Sequence, residues 1–105
     1  MTDATAAAET IRRQLKELDQ VVALALKDLN AVRGMENIEK WKARTAALLR
    51  AQVGEDEALR FAKQGTGPAF ANDLQEEMQD KAEDCRTFLL ALIEELGRRA
   101  TPPPA

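Results

Sequence analysis

Ile11, Leu15, Leu18, Val22, Ala25, Leu29 and Val32 follow one another by alternating steps of four and three residues. That spacing keeps one face of a helix apolar for about three heptads. The same rhythm returns at Ile38, Trp41, Thr45, Leu48, Leu49 and Val53, and again at Phe70, Leu74, Met78, Ala82, Cys85, Leu89, Leu92 and Leu96. A chain with this period along most of its length has few options. It predicts an all-α fold, an antiparallel helical bundle of three long helices plus one short helix.

Glycine and proline set the expected joints. The first helix is expected from about Thr10 to Gly34, with Gly34 as the residue that closes it. The second runs from Met35 or Asn37 to Gln52 and ends at Gly54. Glu55, Asp56 and Glu57 suit the positive end of a short third helix, Asp56 to Lys63, which buries Leu59, Ala62 or Phe61. Gln64-Gly65-Thr66-Gly67-Pro68 reads as the interior linker, with Gly67 or Asn72 capping a last helix that ends near Gly97. At about 1.5 Å per residue that helix is about 40 Å long. Residues 1–9 are expected to fray, residues 10–99 to form the bundle, and residues 100–105, with Pro102-Pro103-Pro104, to be an extended tail. Such a tail looks like the start of a linker to a further domain.

Much of the apolar share, 45% of 105 residues, is alanine, and Trp41, Phe61, Phe70 and Phe88 are the only aromatic residues. A short chain with so thin a core gains from self-association. Within the first helix, Val21 to Leu26 contains no polar residue. Val21, Leu24 and Leu26 lie off the heptad seam, and nothing in the chain is assigned to cover them. These three are the candidate interface, and a homodimer that pairs helix one with helix one is the expected partner arrangement.

The sequence contains no histidine and no tyrosine. This removes the commonest general base, the commonest metal ligand, and any Ser-His or Cys-His pair. Glu76-Glu77, Glu83-Asp84 and Glu94-Glu95 are sequence neighbours, which diverge by about 100° around a helix and do not converge on one point. Cys85 sits on the apolar stripe and reads as a packed thiol. The Gly65–Pro68 loop has no Gly-Lys-Ser/Thr ending and follows no strand, so it is not a phosphate loop. No catalytic, cofactor-binding or metal residues are expected, and the chain reads as a non-enzyme.

With a net charge of −3 and Lys and Arg interleaved with acids, nothing holds nucleic acid. No apolar run reaches the roughly 20 residues of a membrane span. One cysteine and no secretory leader pattern point to the cytoplasm.

Ile38-Glu39-Lys40-Trp41-Lys42-Ala43-Arg44-Thr45-Ala46-Ala47-Leu48-Leu49, then Val53-Gly54-Glu55-Asp56 and Phe61, carries a further signal. With Leu92-Ile93-Glu94-Glu95-Leu96, residues 36–97 resemble the N-terminal helical region of bacterial antiphage defence proteins. That region precedes Toll/interleukin-receptor-like or nucleotide-binding effector domains. Val53 stands where that pattern usually has an aromatic residue, and no serine follows Asp56. The resemblance implies an accessory or oligomerising helical module and brings no catalytic residue with it. The expected function is therefore a protein–protein interaction or oligomerisation module. The alternative is a small regulatory binder, antitoxin-like or a phage-encoded inhibitor, that masks a partner protein and ends at the proline tail.

Overall fold

A computed structural model describes residues 4–64 and 73–100, and the first helix, α1, already runs at Ala4. Ala7 and Ala8 are buried, so most of the lead expected to fray is packed helix. Alanine is the strongest helix former, and its small side chain lets a neighbouring helix approach closely. The α1 helix ends at Asp28, six residues before the expected stop at Gly34.

The turn at Leu29 explains the difference. Leu29 has φ +53°, the left-handed conformation that commonly closes a helix. Its N–H donates to the Leu26 carbonyl at 3.3 Å, and the Asn30 N–H donates to the Ala25 carbonyl at 3.1 Å. Those two bonds are the Schellman pattern, here built on leucine where glycine is usual. Asn30 then opens α2, Ala31–Gln52, its side-chain oxygen accepting from the Arg33 N–H at 3.0 Å.

Gly34 therefore lies inside α2, where its missing side chain matters for packing. A Cβ at Gly34 would sit 2.6 Å from the Ala25 Cβ and closer still to the Met78 sulfur. The glycine is what lets α1, α2 and the last helix converge there.

The short helix α3, Glu55–Ala62, follows directly, with Gly54 before it. It buries Ala58 and Phe61 and leaves Leu59 and Ala62 exposed. The last helix, α4, spans Leu74–Ala100 and continues through Gly97. Asp73 opens it, its carboxylate accepting from the Glu76 N–H at 2.7 Å. The cap is thus Asp73 and not Gly67 or Asn72. Phe70, the 65–68 linker and the 101–105 tail lie outside the described residues.

The fold is all-helical, with four helices and no strand among the described residues. Helix α1 packs on both α2 and α4, and α3 packs mainly on α2. Ile11, Leu18, Ile38, Leu49, Met78, Cys85 and Leu89 fill the core. Trp41 meets Phe61 edge-on with ring centres 5.8 Å apart, and Phe61 meets Phe88 at 5.7 Å. This aromatic row ties α2, α3 and α4 together. The body measures 52 × 24 × 22 Å, and no described helix is long and apolar enough to cross a membrane.

Candidate functional site

Where α1 crosses α2, polar groups are buried and fully matched. The Trp41 indole donates to the Gln14 carbonyl at 2.8 Å, and the Gln14 side-chain amide donates to the Thr45 hydroxyl at 2.8 Å. One turn further along, the Thr10 hydroxyl bonds the Gln52 side chain at 2.9 Å. Gln14 and Thr45 share the apolar faces of their helices, so each needs the other to be buried without loss.

Lys42 was read as part of the polar face of its helix, yet it is buried. Its ammonium donates to the Gln64 carbonyl, just past α3, and no described carboxylate lies within ion-pair reach. A cation there sits at the negative end of the α3 dipole. Helix α3 folding over α2 is what hides it.

Cys85 is buried close to Lys42. Burial pushes its thiol pKa up, Lys42 opposes that, and Asp84 and Glu39 reinforce it. A thiol held neutral is a weak nucleophile.

The adjacent acids face neighbours on their own helix. Glu83 pairs with Arg86 at 2.6 Å, Glu94 with Arg98 at 3.5 Å, and Glu95 with Arg99 at 2.6 Å. Arg86 also reaches Asp19 and so links α4 to α1. Among the described residues no acid or thiol cluster has the form of a metal site, and no buried side-chain nitrogen or oxygen lacks a partner. The interior is arranged for packing, with no polar group aimed at an empty space.

The surface is different. Of the three candidate interface residues, Val21 and Leu26 are half-buried against the chain's own core, and Leu24 is exposed. The α2 and α4 helices cover more of α1 than the sequence assigned to them. In exchange, two residues of the heptad seam are uncovered, because the seam ends with α1 at Asp28. Leu29 is 83% exposed and Val32 58%, beside Leu24 at 54%.

Leu24, Leu29 and Val32 thus gather at the α1–α2 corner. A hollow of 290 Å³ lies there, lined by Leu24, Ala25 and Gly34 and rimmed by Asp28, Asn30 and Arg33. The local signal was Asp28-Leu29-Asn30, two cap-forming residues flanking a leucine that fits the heptad. The heptad spacing outweighed it.

No known family, characterised protein or solved structure matches the chain.

Proposed function

We propose that the chain is a non-catalytic helical module for protein–protein interaction that associates with itself and serves a larger assembly in the cytoplasm. The exposed apolar corner of Leu24, Leu29 and Val32 carries this reading. A soluble helical surface scatters single leucines, but three large aliphatic groups beside one hollow mark a place where another surface fits. The fully matched interior supports the non-catalytic part, since no group is held ready for a substrate.

The architecture that goes with this reading is an antiparallel bundle of three long helices with one short one. Thr10, Gln14 and Glu17 of α1 meet Gln52, Thr45 and Arg44 of α2, in opposite order along the two helices. The resemblance of residues 36–97 to the helical regions of antiphage defence proteins supports an accessory role beside an effector domain. Its Trp41 and Phe61 are here core residues, which fits a scaffold more than a binding face.

Sedimentation equilibrium over a wide concentration range tests the proposal. A mass that rises from monomer to dimer by high-micromolar concentration is the expected result. A strict monomer throughout would overturn self-association and leave the masking of a different protein as the function of the corner.

A further inference from the structure

Two charges at the α1–α2 corner are placed against their own helices. Asp28 ends α1, where the helix dipole is negative, and Arg33 stands in the first turn of α2, where it is positive. Each would be better placed at the other's position. Neither side chain has an ion-pair partner among the described residues, although Asp28 and Arg33 rim the same hollow. Elsewhere the surface is well paired, as at Arg50–Glu55, Arg86–Glu83 and Arg99–Glu95.

Leu29 is anomalous in a second way. It holds a left-handed backbone that glycine or asparagine adopts at less cost, and its side chain is left in solvent. Within the chain, then, Leu29 carries strain without packing. An outlier of this kind is a reason to look for a contact outside the chain. The hollow beside it is also more than a leucine side chain needs, since about 150 Å³ suffices for benzene.

The corner therefore offers a knob, a hole, an unpaired acid and an unpaired base on one surface. A patch that is its own complement is what a twofold contact requires, residue i meeting j while j meets i. We propose that two copies of this chain associate at the α1–α2 corner about a twofold axis, Leu29 of each seated in the hollow of the other and Asp28 of each facing Arg33 of the other. This rests on the self-association reading above and names its surface and its pairs.

Charge reversal with mixing tests it. Asp28→Arg alone sets Arg against Arg twice in a homodimer, and Arg33→Asp alone sets acid against acid twice. Each should weaken the dimer by about tenfold or more. An equimolar mixture of the two variants restores both pairs in a heterodimer, and so does the double variant with itself. Both should return to the wild-type affinity. Each reversal also suits its own helix dipole, so helicity and melting temperature should hold or rise. Loss of the dimer is then separate from loss of the fold.

Leu29→Gly should relieve the backbone, keep the fold and weaken the dimer by about tenfold or more. A wild-type dimer that survives both reversals and Leu29→Gly would overturn this interface while leaving self-association standing. Single variants that fail without rescue in the mixture would overturn the pairing. A monomeric wild type would overturn both this interface and the reading it rests on.

Discussion

The two ends of the α1–α2 contact are built on opposite terms. Around Gln14, Trp41 and Thr45, buried donors and acceptors are matched within the chain and the large side chains are covered. Around Leu24, Leu29 and Val32, apolar groups face solvent, charges oppose their dipoles and the backbone is strained at Leu29. Between them lies Gly34, where helices meet so closely that a methyl group does not fit. The difference teaches that the same pair of helices supplies a finished core at one end and an unfinished surface at the other.

The largest effect should come from breaking the finished end. Trp41→Ala removes a buried ring, its edge-on contact with Phe61 and the donor to the Gln14 carbonyl. It should cost about 3–5 kcal/mol, measured by urea unfolding. For a domain of this size that approaches the whole stability. A loss under about 1 kcal/mol would show that the centre is not what holds the helices together.

Next comes the joint. Gly34→Ala pushes a methyl group into the Ala25 Cβ and the Met78 sulfur. Met78 can turn aside, but Ala25 moves only with its helix. The expected cost is about 1–3 kcal/mol in the same assay, and Ala25→Gly should recover part of it.

At the unfinished end the sign reverses. Leu29→Gly relieves the left-handed backbone, about 1–2 kcal/mol, against the added freedom of glycine in the unfolded chain. Measured at a concentration where the chain is monomeric, stability should rise by about 0.5–1 kcal/mol. A drop would mean that the exposed side chain packs within its own chain.

The smallest effect is in pH. The Cys85 thiol is raised by burial, so the folded chain keeps its proton at a pH where the unfolded chain releases it. Stability should be level below the unfolded thiol pKa of about 8.5 and decline above it, through the higher folded value. Chemical unfolding from neutral to alkaline pH checks this, and Cys85→Ala should remove that part of the slope.

How far these contrasts could be read in the residues depends on which force set each position. Trp41, Ile38, Leu49, Met78 and Cys85 lie where the three-and-four spacing puts them, because burial alone fixed them. Leu24 was legible for the opposite reason, lying off the seam. Leu29 and Val32 were hidden, since they continue the heptad in sequence while the chain turns away at Leu29. Gly34 was legible as special but not as packing, because a close approach is made by Ala25 and Met78, distant in sequence. Val21, Leu26 and Lys42 were misassigned for a related reason: α2, α3 and α4 cover more than each stripe alone implies.

Hydrogen–deuterium exchange at low and high protein concentration bears most directly on the contrast. Peptides across residues 22–33 should gain protection as concentration rises, while those across residues 36–49, already packed around Trp41, should not change. Protection that rises elsewhere, or that does not depend on concentration at the corner, would contradict the account.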